Sequence, residues 1–345
     1  MPHLPANPKG IPVNGNKAIV KTGIILINTG TPRSPDPKDI KPYLIEFLSD
    51  RHIIRIPPLI WQPILRGIVV NARPKKTSKR YRVIWTEEGS PFMVTSRKQV
   101  DALSRELKAR GMDVEVALGM RYGTPSIEEA FATLEDAGCH RVVAVPLFPQ
   151  STYSTTMTCA EKVRGVARDH PAITRVDIVE GYGDHPLYLS ALADSIADAQ
   201  VCRPGSKILF AFHSIPLADI RRGDTYQYQV EQCVSGVAAK LGLAKEDWAI
   251  GYHSRFEDSR RWLQPHPNAC LDAWAAEGVG RVTVVAPGFA TDCLETLFDC
   301  AIQQKARFEE ACARQGVQAD FVYLPALNDS AAHIALLATL VEERI

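Results

Sequence analysis

The sequence predicts an α/β fold of two similar lobes, each a four-stranded parallel sheet flanked by helices. Short aliphatic runs ending in Gly, Pro or a polar turn alternate with helical patterns along the whole chain, four runs to each half. The halves also match one another. CHRVVAVPLFP at 139–149 has the pattern of VGRVTVVAPGF at 279–289, and DVEVALGMRY has that of DWAIGYHSRF. An ancient duplication is one account of this match, and the general likeness of βα units is the other. Finally, 345 residues with 46% apolar content suffice for two cores, at about 100 to 200 residues per domain.

In chain order, residues 1–21 are broken by Pro and Gly and lack the apolar run of about 7 to 15 residues that a signal peptide needs. They read as a flexible tail, and a soluble, cytoplasmic protein is expected. The first lobe is expected over 22–182, with strands at 23–28, 113–119, 141–148 and 175–180. The second is expected over 183–345, with strands at 207–212, 248–252, 281–286 and 320–324. One interval breaks the symmetry: residues 31–95 are an insertion containing PYLIEFLSDRHIIRIPPLIWQPILRGIVV, apolar, aromatic and punctuated by proline. It suits a lip over a large greasy ligand. It also suits a cover that completes a core, or a patch resting on a membrane surface through Trp61 and the arginines beside it. It does not suit a spanning helix, because Arg55, Pro57, Pro58, Pro63 and Arg66 interrupt the run of about 20 apolar residues that one requires.

A formal charge of +1 supplies no field to attract nucleic acid, and the basic run at 73–82 is short enough to be local. The eight cysteines show no CxxC and no zinc spacing, so they read as reduced thiols. Neither GxGxxG nor GxxxxGK[ST] follows the first strand, and HExxH and GxSxG are missing, which removes nucleotide binding and the common protease and hydrolase chemistries.

Ligands of open parallel sheets bind beyond the carboxyl ends of the strands. Four such ends carry polar motifs: LINTGTP, GMRYGTPS, AFHSIP and PGFATDCLETL. In the last, Asp292, Glu295 and Asp299 are spaced by three and four residues, which puts them on one helical face where carboxylates hold a cation or pass protons. Asp292 with Glu295 also fits a capping box. Leu294, Leu297, Phe298, Ala301, Phe308 and Cys312 are expected on the opposite face, against the second sheet. His213 ends a strand in the same half, and an imidazole with an ordinary pKa near 6.5 can accept a proton or bind a borderline metal.

With these motifs in order, from ILINTGTP through WTEEGSPFMVTSR, MRYGTPSIEEA, LFPQSTYSTT, AFHSIPLADIRRGDTY and WLQP to PGFATDCLETL, the chain resembles the ferrochelatases, which insert ferrous iron into a porphyrin late in haem synthesis. The resemblance implies two Rossmann-like lobes with the porphyrin in the cleft between them. It implies His213 and Glu295 as the active-site histidine and acid, both candidates to touch the metal, with Asp299 continuing the acidic line. Arg121 and Tyr122 match a pair near the metal side, Trp262 a cleft tryptophan and Phe289 a pocket wall. Thr29, Tyr81 and Ser90 match positions lining the porphyrin or its propionates.

The chain departs from the family pattern at Cys293, where many members carry a second histidine, and at Ala301 and Gln303, where others extend the acids. Tyr153 stands at the usual internal cysteine position, so no iron–sulphur cluster and no resident cofactor is expected; Fe2+ is a substrate. The implied partners are porphyrin and iron, with peripheral membrane contact through the lip and transient contact with other haem-pathway enzymes. Protoporphyrin IX is the expected ring. The rivals are a coproporphyrin chelatase of the same fold, a cobalt chelatase, and a porphyrin carrier without chemistry.

Overall fold

The computed structural model describes residues 21–254 and 260–345, so the expected tail lies outside the described residues except for Lys21. All eight expected strands are present within one or two residues of their expected ends. The first sheet holds β1 (Thr22–Asn28), β2 (Val114–Met120), β3 (Arg141–Pro146) and β4 (Arg175–Ile178), parallel in the order β2-β1-β3-β4. The second holds β5 (Ser206–His213), β6 (Trp248–His253), β7 (Arg281–Val285) and β8 (Asp320–Leu324), in the equivalent order β6-β5-β7-β8. Helices cover both faces of each sheet, which is why central strands such as Ile24-Ile25-Leu26-Ile27 are continuously apolar rather than alternating.

One buried core joins the lobes, taking Ile24 and Leu26 from β1 together with Ile208, Phe210 and Phe212 from β5. The division near residue 183 separates the sheets but not the helices. The last helix, Ala331–Glu342, returns to pack on Pro91–Ala109 of the first lobe. There Arg110 pairs with Glu342 at 2.8 Å and donates to the carbonyl of Ala335.

The insertion folds as helices Pro37–Ser49, Pro58–Ile64 and Val70–Ile84, with a π-helical turn at Leu65–Val69. Its apolar residues divide between a buried set and an exposed one. Ile40, Leu44, Leu48, Leu65 and Tyr81 bury a small core of their own, while Leu59 (93% exposed), Ile68 (66%) and Ile60 (58%) stand on the outer crest. No described helix is long and apolar enough to cross a membrane. The glycine of LINTGTP is required by a close approach to the loop after β2. Gly30 has φ +107°, and a Cβ there would lie 1.8 Å from the carbonyl oxygen of Tyr122.

Candidate active site

A cavity of about 720 Å³ opens between the lobes beneath the insertion, at the carboxyl ends of β1, β5, β6 and β7. Thr29, Tyr81, Ser90, His213, Trp262, Phe289, Glu295 and Asp299 all line it.

His213 is the last residue of β5. Its Nδ1 lies 2.7 Å from the carbonyl oxygen of Ser214, which can only accept, so Nδ1 carries a hydrogen and, in the neutral ring, Nε2 has the lone pair. The hydroxyl of Tyr226 holds the backbone carbonyl of His213 at 3.0 Å.

The carboxylate segment differs from its sequence reading in two ways. First, no capping box forms. The buried Asp292 carboxylate accepts hydrogen bonds from Thr296 Oγ1 (2.8 Å), Tyr323 OH (2.6 Å) and Asn328 Nδ2 (2.8 Å), while the amide of Cys293 is taken by Thr296 Oγ1 at 2.9 Å. Asp292 therefore anchors the segment to β8 and the loop after it. Second, Glu295–Gln304 is a ten-residue π-helix. Its i→i+5 bonding alters the phase assumed from 3.6 residues per turn. Thr296, Cys300 and Gln304 face inward. Leu294 packs on the insertion's core, and Phe298 lies under the Arg80 guanidinium at 5.2 Å from its ring centre. Phe308 and Cys312, in the following helix Lys305–Gln315, do join the sheet as expected.

Glu295 and Asp299 line the cavity from this π-helix. Burial, reinforced by the nearby charge of Glu295, pushes the Asp299 carboxyl up to about 6. Arg80, 3.3 Å away, and a hydrogen bond from Ser254 oppose the rise. Cys293 is also buried, and burial followed by Glu295 pushes its thiol well above the ordinary range, so it is not a ready nucleophile. Among the described residues, no group of three or more His, Cys, Asp and Glu side chains is placed to hold a metal ion.

The remaining expected residues divide. Ser90 Oγ lies 3.0 Å from Thr31 Oγ1 beside the buried Tyr81. The ring of Trp262 is covered by the Arg260 guanidinium at 4.6 Å. Arg121 and Tyr122, in contrast, do not line the cavity. Arg121 pairs with Asp50, and Tyr122, only 2% exposed, donates to the same carboxylate at 2.9 Å. Despite its burial, Asp50 is held below the usual carboxylate range by Thr158, the His52 amide, Arg121 and Tyr122. Its place just after helix Pro37–Ser49 makes this cluster the root of the insertion.

Sequence reasoning missed His253 and Ser254. His253 ends β6 in register with His213, their ring centres 6.2 Å apart, and is 2% exposed. Burial, then His213 and His266, lowers it to about 3, so it is neutral at physiological pH. The signal was available: FHS at 212–214 and YHS at 252–254 end neighbouring strands with the same three-residue pattern.

Comparison with known proteins shows the family and the fold. The sequence model of the family described as Ferrochelatase matches residues 21–345. A ferrochelatase of Nitrosococcus oceani is 36% identical over 340 residues, covering 98% of this chain and 91% of its own length. One of Bordetella pertussis is 39% identical over 350 residues, covering 99% and 94%. Among solved structures, SirB from Bacillus subtilis with Fe3+ superposes with a TM-score of 0.55 at 12% identity, covering 94% of this chain and 95% of that one, a likeness of fold alone.

Proposed function

This chain belongs to the ferrochelatase family, and on that footing we propose which porphyrin it takes and which residues act on it. It is a metal-inserting lyase of haem biosynthesis whose substrates are ferrous iron and a porphyrin. The ring is protoporphyrin IX. Insertion removes two pyrrole N–H protons and seats a desolvated cation, so the site needs a proton acceptor, a metal hand-off group and walls that grip the macrocycle. The observation that carries the assignment is the fixed tautomer of His213, whose Nε2 lone pair shares one cavity with Glu295 and Asp299. His213 accepts pyrrole protons or meets the iron, Glu295 takes the other task, and Asp299, with its carboxyl at about 6, receives protons near neutral pH. Trp262 and Phe289 wall the ring, with Thr29, Tyr81 and Ser90 toward its periphery.

A coproporphyrin ring with four carboxylates is the second reading, and it draws on Arg73, Lys76 and Arg80 along the insertion's inner wall. The exposed apolar crest, flanked by Arg55 and Arg66, rests on a membrane surface from the cytoplasmic side and offers a face for transient contact with other haem-pathway enzymes. Anaerobic iron insertion into both rings is the test. Replacing His213 by Ala abolishes insertion and leaves porphyrin binding near normal. Retained turnover would sink the role of His213, and faster turnover of the coproporphyrin would sink the choice of ring.

A further inference from the structure

His253 and Ser254 also line the cavity, and the proposed reaction gives them no task. The hydroxyl of Ser254 lies 3.2 Å from Asp299 Oδ2, and His253 Nδ1 lies 2.7 Å from the same hydroxyl oxygen. A serine hydroxyl has one proton. With that proton given to the Asp299 carboxylate, the hydrogen between His253 and Ser254 must sit on Nδ1, and Nε2 is left as an acceptor facing Cys300 Sγ at 3.8 Å. The donors therefore run in one direction: Cys300 to His253, His253 to Ser254, Ser254 to Asp299. The imidazole is itself fixed, stacked on Phe289 with ring centres 5.8 Å apart and planes 18° from parallel.

Ser254 is also held in a conformation that side chains rarely adopt, with φ +61°. Glycine would fit this backbone better. Keeping a serine there costs stability, and the feature it supplies that glycine cannot is the hydroxyl that reaches Asp299.

We propose that His253 and Ser254 form a positioning pair that holds the Asp299 carboxylate in its productive orientation on the π-helix. This rests on the assignment of Asp299 as a proton-receiving group. Neither residue need touch the porphyrin. Their effect is exerted through Asp299, so it falls on the chemical step rather than on ring binding.

The test uses Ser254→Gly, which removes the hydroxyl while relieving the backbone, together with Asp299→Asn and the double variant. Anaerobic kcat and porphyrin KM are measured beside thermal midpoints. The expected result for Ser254→Gly is a midpoint at or above that of the unaltered protein, an unchanged KM and a kcat lowered about 10- to 100-fold. The same substitution in the Asp299→Asn background should have no further effect, because the tether then has nothing to orient. His253→Asn, whose amide can replace Nδ1–H, should keep more activity than His253→Phe, which keeps the ring and loses the donor.

Full turnover in Ser254→Gly while Asp299→Asn is impaired overturns the tether alone. A loss that multiplies in the double variant overturns it too. Full turnover in Asp299→Asn overturns the carboxylate assignment first and this inference with it. Activity in His253→Phe above that of His253→Asn removes His253 from the pair.

Discussion

Asp299 should weaken the fold it serves, and replacing it by Asn should stabilise the protein at neutral pH. Its ordinary pKa of 3.8 is raised to about 6, by burial first and then by Glu295. Between those two values the unfolded chain has released a proton that the folded chain still holds, so stability falls as pH rises through the window. Below 3.8 the penalty is absent, and above about 6 it is fully developed. A gap of about two pH units corresponds to a cost on the order of 3 kcal/mol. The side chain is 17% exposed, so only modest screening applies. Asn resembles the protonated acid in shape and carries no charge, so it escapes the cost at every pH. For 345 residues, at an unfolding entropy of about 2.1 cal/mol/K per residue, the gain is a rise of about 4 °C in the melting midpoint. The assay is a set of thermal melts of both proteins from pH 4 to pH 8. The midpoints should coincide near pH 4 and separate as pH rises, with the Asn variant higher. A difference that does not change with pH, or an Asn variant that melts lower at pH 8, would refute the reasoning.

Other outcomes follow from the same geometry. Iron insertion should fall as pH drops through about 6 and Asp299 takes up a proton; Arg80→Met, which removes the cation opposing that uptake, should move the falling limb to higher pH in a rate profile. Gly30→Ala must fit a Cβ against the Tyr122 carbonyl at φ +107°, so soluble yield and melting midpoint should collapse, with a loss on the order of 3 kcal/mol or more. Leu59→Asp with Ile60→Asp, both on the exposed crest, should leave the melt and iron insertion in detergent unchanged and lower co-sedimentation with anionic vesicles; unchanged sedimentation would remove the membrane reading.

The strands were legible because buried parallel strands are continuous apolar runs, a local property of the chain, and the match between halves carried over into equivalent strand orders. The fate of Asp292 was not local. Tyr323 and Asn328, 31 and 36 residues further on, decide it, and no spacing rule at 292–295 could report them. The π-helix has no local signature either: the i, i+4 row of Thr296, Cys300 and Gln304 that faces inward contains no strongly apolar side chain, so the apolar pattern pointed to the wrong face. His253 was readable in principle, since the repeat that identified the lobes also pairs FHS with YHS.

Arg121 and Tyr122 gain a different meaning from their place at the root of the insertion. On the first-lobe side the insertion is secured by the buried Asp50 cluster, where three donors converge on one carboxylate oxygen; removing Arg121 would leave a buried carboxylate without its counter-charge. On the second-lobe side its ties combine the packing of Leu294 on the insertion's core, the Arg80 guanidinium over Phe298, and polar contacts at the edge. Arg55 meets Asp219 at 3.2 Å and Arg80 meets Asp299 at 3.3 Å, with the arginines 31% and 34% exposed, and Arg260 reaches the carbonyl of Ile53 at 3.4 Å. Each of the two ion pairs joins a partly exposed arginine to a largely buried carboxylate, so desolvation of the acid offsets much of the attraction. The lobes themselves share a continuous apolar core and separate only at far greater cost. Arg80 serves both ends of this arrangement: the contact that ties the insertion's edge to the second lobe is also the one that opposes the rise of the Asp299 pKa.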